Sequence, residues 1–109
     1  MSASTTKRSG VARLSSSFAY IYTIQPNYWG RVTMLHLVNT TGAAATVRVC
    51  IVPPNSVPGQ ENSLMWDFNI PANDMIEFGD GYWLSTQTSI IALCGTEGAV
   101  NLHWSIEEE

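Results

Sequence analysis

At 109 residues the chain has the size of one domain, and it can bury roughly two-thirds of its unfolded surface, enough to fold without a metal or a disulfide. It is 45% apolar but only 13% charged, about half the usual charge content, and such a surface suits a protein held in an assembly better than a free monomer. The net charge of −4 is split: Lys7, Arg8 and Arg13 lie in an N-terminal stretch without a carboxylate, while Arg31 and Arg48 face nine acids in the remainder, an acidic body that argues against nucleic acid as a partner.

Residues 1–16 are rich in Ser, Thr, Ala and Arg without an apolar period, and read as a flexible N-terminal arm; residues 17–109 read as the folded domain. No apolar stretch near Met1 makes a signal peptide, and no run approaches the ~20 residues of a membrane helix. The expectation is synthesis in a reducing cytosol, no membrane partner, and reduced thiols at Cys50 and Cys94. A bridge between those two stays open if their strands face each other.

The first strand is expected over residues 17–24, with Phe18, Tyr20, Tyr22 and Ile24 on one face. Gln25-Pro26-Asn27-Tyr28-Trp29-Gly30 is a loop by its Pro, Asn and Gly. Residues 31–39 and 46–52 then read as two strands of a hairpin closed by Asn39-Thr40-Thr41-Gly42. In the second of these Val47, Val49 and Ile51 share one face, and Arg48, Cys50 and Val52 the other. Asn39-Thr40-Thr41 is a glycosylation sequon in form, but without a secretion signal it reads as turn chemistry.

Pro53, Pro54, Pro58 and Gly59 make residues 53–62 an extended loop. Over residues 63–70 Leu64, Trp66, Phe68 and Ile70 alternate with Met65, Asp67 and Asn69. Pro71-Ala72-Asn73-Asp74 turns the chain, residues 75–78 form a short strand, and Gly79-Asp80-Gly81 supplies a tight turn into Tyr82-Trp83-Leu84. Residues 89–94 and 99–106 complete the strands. In the last, Leu102, Trp104 and Ile106 oppose Asn101, His103 and Ser105. Glu107-Glu108-Glu109 reads as a solvated acidic end that discourages further pairing. Seven to eight short strands with turns between them define an all-β fold, an antiparallel β-sandwich of Ig-like or jelly-roll-like type, with a small barrel as the alternative.

No catalytic, cofactor-binding or metal-binding set emerges. His36 sits in Met34-Leu35-His36-Leu37-Val38, where a hydrogen-bonded structural histidine is the default, and His103 lies on the polar face of the last strand. With Cys50 and Cys94 they number four potential zinc ligands, but no two share the spacing of a metal knuckle. Asp74, Glu77 and Asp80 match no calcium loop. No phosphate loop, nucleophile elbow or H-E-x-x-H is present, so nothing marks an enzyme.

The doublets Tyr28-Trp29 and Tyr82-Trp83 are more informative. Each adjoins turn glycines, and its two members point to opposite faces, so one can stay outside as an interface anchor. Interface candidates are therefore Tyr28, Trp29, Tyr82 and Trp83, Arg48 on the second face of its strand, and Lys7, Arg8 and Arg13 on the arm.

Ala19-Tyr20-Ile21-Tyr22-Thr23-Ile24, Val38-Asn39-Thr40-Thr41-Gly42 leading into Ala45-Thr46-Val47-Arg48-Val49, Asn69-Ile70-Pro71-Ala72-Asn73, the Phe78-Gly79-Asp80-Gly81 turn and the closing Ala99-Val100-Asn101-Leu102 together resemble the small β-sandwich virion structural proteins of tailed bacteriophages. The resemblance spans residues 18–106 and is a rhythm of strands and turns. It implies a capsid decoration or cement protein that binds the assembled shell, with a tail, neck or glycan-binding fibre module as the alternative. It further implies a virion location after synthesis in the host cytoplasm. The implied partners are the major capsid protein or another virion protein and further copies of the chain, a trimer favoured; no cofactor is implied. On this reading, deletion of residues 1–16 leaves a folded domain that binds its assembly less well.

Overall fold

The computed structural model describes residues 5–79 and 81–109; the first four residues of the expected arm and Asp80 of the expected turn lie outside them. Among the described residues the strands are β1 (Thr6–Arg13), β2 (Ala19–Thr23), β3 (Gly30–Asn39), β4 (Ala45–Val52), β5 (Ser63–Ile70), β6 (Met75–Phe78), β7 (Tyr82–Leu84), β8 (Ser89–Cys94) and β9 (Val100–Glu108). A single 3-10 turn, Gln60–Asn62, precedes β5.

They build two antiparallel sheets, one ordered β1-β9-β3-β6 with β7 also on β3, the other β2-β8-β4-β5. Strands β6 and β7 pair with different parts of the same β3 edge, Leu35 to Val38 and Gly30 to Val32. Counted as one interrupted strand, they make an eight-stranded jelly roll in which most connections cross from one sheet to the other. The all-β sandwich expected from strand spacing is the fold observed.

The core lies between the sheets. Val32, Leu35 and Leu37 of β3 and Val100, Leu102 and Ile106 of β9 face Val47 and Val49 of β4 and Ile90, Ala92 and Cys94 of β8, all essentially inaccessible. Period-two alternation in β9 does this most cleanly: each of Val100, Leu102, Trp104, Ile106 and Glu108 is buried, and each residue between them is half-buried.

Several local expectations change. Residues 31–39 and 46–52 form no hairpin: β3 and β4 stand in opposite sheets. A strand apolar on one face can satisfy that face beside its neighbour or across the core from it, and here the connection decides. Asn39 is fully buried; its amide donates to the carbonyls of Ala43 (2.8 Å) and Ile70 (3.0 Å), and its Oδ1 accepts from the Thr41 N–H (3.0 Å). That side chain carries the chain over the end of the sandwich, so the sequon asparagine is a buried turn residue.

The flexible arm is corrected as well. Residues 6–13 are the edge strand β1, in register with β9 from Thr6 opposite Glu108 to Arg13 opposite Asn101. Apolar alternation is missing because β1 fills its inner side unusually. Gly10 lies under the Trp104 ring, where an added Cβ would come within 2.7 Å of Cζ2, and Arg8 reaches a buried carboxylate. The pieces on either side of the turn expected at residues 79–81, β6 and β7, are no hairpin, because both run antiparallel to the same β3; Gly79 passes so close to the Thr33 carbonyl that a Cβ would stand 2.9 Å from it.

Candidate interaction surface

The outward face of the sheet β1-β9-β3-β6/β7 is assembled by register. One cross-strand row runs Lys7 (β1), Glu107 (β9), Arg31 (β3) and Trp83 (β7). Alternating charge in such a row stabilises the sheet modestly; Arg31 Nη2 lies 3.3 Å from Glu107 Oε1. Trp29, two residues before Arg31, falls on the same side. Its backbone exchanges both hydrogen bonds with Glu109, N–H to Glu109 oxygen at 2.8 Å and carbonyl from the Glu109 N–H at 2.9 Å. Trp29 is 56% exposed and Trp83 60% exposed, so two indoles flank one arginine at one end of the sheet. Beside them lies an open depression that includes Lys7, Ser9, Thr33, Ser105 and Glu107.

Directly beneath this end, Glu108 points inward and is inaccessible, which corrects the solvated acidic terminus. Its carboxylate accepts from Arg8 Nε (3.1 Å), the Tyr22 hydroxyl (2.7 Å) and the Gln25 N–H (3.1 Å). A buried carboxylate is tolerable only with such partners. The group ties β9 and β1 of one sheet to β2 of the other. Burial, and after it the hydrogen bond to Glu108, pushes the Tyr22 hydroxyl above its ordinary range.

A second row crosses the middle of the same face: Val11, His103, His36 and Glu77. The two imidazoles are direct cross-strand partners, with ring centres 5.8 Å apart and planes at 85°. His36 is therefore half-buried on an outward face, with Nδ1 3.5 Å from Glu77 Oε1, and not enclosed among apolar neighbours.

Much of the outward face of the other sheet is covered by the protein's own residues, while Tyr20, opposite Ile91 at the β2 edge, stays exposed. Cys50, Val52 and Ile91 form a small second core there, with Phe18 and Trp66 packed on it. Arg48 stacks over the Trp66 ring at 4.0 Å and forks onto Asp67, Nε to Oδ1 at 2.6 Å and Nη2 to Oδ2 at 3.1 Å. The fork holds the Asp67 carboxyl below its usual range. Asp67 sits at φ 55° where the β4–β5 register shifts, and that bulge moves the β5 faces: Met65 and Ile70 are buried, while Phe68 is 41% exposed. The Cys50 thiol approaches the Gly59 carbonyl of the long loop (3.7 Å), and burial pushes it up.

Of the eight residues singled out in sequence, Lys7, Trp29 and Trp83 share the outward face of one sheet, with Glu107 and Arg31 standing between Lys7 and Trp83. Tyr82 (43% exposed) leans on Phe78 with ring centres 5.5 Å apart, and Tyr28 is at the same end; neither enters the core. Arg8 serves Glu108. Arg13 stands at the far end of β1 with Nη1 donating to the Gly98 carbonyl (3.3 Å), and Arg48 is bound on the opposite sheet. Sequence reasoning missed Tyr20, which is 70% exposed on the edge strand β2, and Glu108. Cys50 and Cys94 lie on opposite faces of one sheet, in the outer cluster and the main core, and both are free thiols. Among the described residues no group of three or more His, Cys, Asp and Glu side chains converges on a metal position.

No protein-family model matches the chain, and no curated protein sequence is similar to it. Its fold is similar to that of a solved chain from Bacillus endospore appendages, described as a novel family of disulfide-linked pili. The match has a TM-score of 0.58 at 13% identity and covers 96% of this chain and 84% of that one. The expectation of a bacteriophage capsid decoration protein, or of a phage tail or fibre module, is corrected by this finding: the structural likeness is to a bacterial pilus. The strand-and-turn rhythm that suggested phage proteins reports the fold, and one β-sandwich architecture hosts many unrelated functions.

Proposed function

We propose that the chain is a structural subunit that associates with copies of itself into a pilus-like polymer, without catalytic activity. The observation that carries this reading is the fold likeness to an appendage pilus over 96% of the chain. The surface agrees with it: exposed Trp29 and Trp83 flank Arg31 on one sheet face, and aromatic and arginine side chains are the usual anchors of protein interfaces. Small contacts repeated by symmetry add up along a polymer, so no single contact needs to be large.

The neighbour's disulfide linkage is not carried over. Both thiols here are buried within their own domain, Cys94 donating to the Thr96 carbonyl at 2.8 Å, so assembly is non-covalent and insensitive to reductant. Negative-stain microscopy and sedimentation of concentrated, tag-free protein test the reading. Ordered polymers that persist in dithiothreitol are expected, with Trp29→Ala/Trp83→Ala protein shifted to smaller species. A chain that stays monomeric at every concentration overturns it.

A further inference from the structure

We infer that His36 and His103 form a surface site for a late first-row transition-metal ion, with Glu77 as the residue that orients it. The two imidazoles are 67 residues apart in sequence but directly opposite in the β3–β9 register, on the outward face. With metal–nitrogen bonds of about 2.0–2.1 Å, one shared ion holds two ring centres roughly 4.5–6 Å apart, and here they stand 5.8 Å apart. The near-perpendicular planes suit an ion that lies in the plane of each ring, as tetrahedral coordination allows. Imidazole nitrogen selects Cu²⁺, Ni²⁺ and Zn²⁺ over Mg²⁺ and Ca²⁺, and Cu²⁺ binds tightest.

Glu77 gives the pair a direction. Its Oε1 lies 3.5 Å from His36 Nδ1, on the side of His36 away from His103. A carboxylate on the Nδ1 side of the ring favours the tautomer with the proton on Nδ1 and leaves Nε2 as the free donor atom, the arrangement usual behind metal-bound histidines. Val11 borders His103 on its far side, and the residues two positions along each strand, Met34 and Val38 on β3 and Asn101 and Ser105 on β9, carry no charge. Arg13, opposite Asn101 and two positions along β1 from Val11, is the fixed cation diagonal to His103, and its Nη1 donates to the Gly98 carbonyl (3.3 Å); Glu77 on the other flank offsets its charge, and the remaining coordination positions are open to water. A bound ion links the two central strands of the sheet and stabilises the folded state by mass action.

The test is a Zn²⁺ titration of the tag-free chain followed by the imidazole ring resonances, with Mg²⁺ as the control ion and melting curves in Ni²⁺ alongside. Saturable one-to-one shifts of both rings with Zn²⁺ and none with Mg²⁺ are expected, together with a higher melting temperature in Ni²⁺. His103→Gln and His36→Gln should each remove the shifts while leaving the metal-free circular dichroism unchanged. Glu77→Gln should weaken binding by about tenfold, the low end of the effect of losing an orienting carboxylate. Absence of saturable shifts, an equal response to Mg²⁺, or Zn²⁺ binding that survives in both histidine variants and disappears on thiol alkylation each overturn the assignment.

Discussion

The two outward faces of the sandwich began from similar material, strands that alternate apolar and polar residues, and ended differently. On the β2-β8-β4-β5 sheet the outer residues of the central strands are consumed internally: Trp66, Phe18, Cys50, Val52 and Ile91 pack together, Arg48 is spent on Trp66 and Asp67, and the loop containing Gly59 approaches them, leaving Tyr20 exposed at the β2 edge. On the β1-β9-β3-β6 sheet the outer residues form open rows, with Trp29 and Trp83 exposed at one end and the histidine pair at the centre. The same residue types therefore mean different things. An aromatic beside an arginine is part of a small core on one sheet and lies open on the other, and what decides is whether a loop of the same chain lies over it.

Truncation gives the largest effect. Removing residues 1–13 takes β1 from β9, uncovers Trp104 and deprives Glu108 of Arg8. Urea unfolding should show a loss of more than about 4 kcal/mol, beyond the usual range of a point substitution. A truncated chain as stable as the full one would return these residues to the status of an arm.

Glu108→Ala comes next, because it leaves the Tyr22 hydroxyl and the Gln25 N–H without their acceptor at the junction of the two sheets. The cost should be about 2–4 kcal/mol. A matched pair then separates the two faces. Trp66→Ala should destabilise by about 2–3 kcal/mol, less than a fully buried tryptophan because Trp66 is half-buried. Trp83→Ala should change stability by no more than about 0.5 kcal/mol while reducing polymer formation. Equal effects of the two on stability would abolish the distinction.

The smallest effect is acid dependence on the covered face. Arg48 lowers the folded-state pKa of Asp67 below its unfolded value. A carboxyl shifted in this direction contributes stability that is complete above about pH 4 and is lost as pH falls through the depressed folded value. Arg48→Ala removes the depression, so its stability should decline less steeply with acidification than that of the wild type over that window. Glu97, lowered by the N–H and hydroxyl of Ser16, adds in the same direction in both proteins. Parallel acid titrations of the two proteins would show that the fork carries no pH dependence.

Strand positions, the loop over residues 53–62 and the core faces of β4 and β9 were legible in sequence, because period-two alternation and Pro/Gly punctuation are local signals. Exposure of Trp29 and Trp83 was legible from their place beside turn glycines, but Tyr28 and Tyr82 stay outside as well, so the expected split of each doublet between core and surface does not occur. Strand β1 was not legible: it carries Gly10 and Arg8 inward, and both make sense only against Trp104 and Glu108, some ninety residues or more away. The β5 faces were misread because the bulge at Asp67 shifts the alternation by one.

The amino-acid order by itself determined an all-β chain, two thiols within strands, a sparsely charged surface and where most turns fall, since each follows from composition or from neighbours a few residues apart. Only the tertiary structure decided which strands share a sheet, that β3 and β4 face each other across the core, that Glu108 is buried and bridged, and that His36 meets His103. Pairing across a jelly roll joins residues remote in sequence, and alternation fixes which face a side chain takes without fixing what lies opposite it.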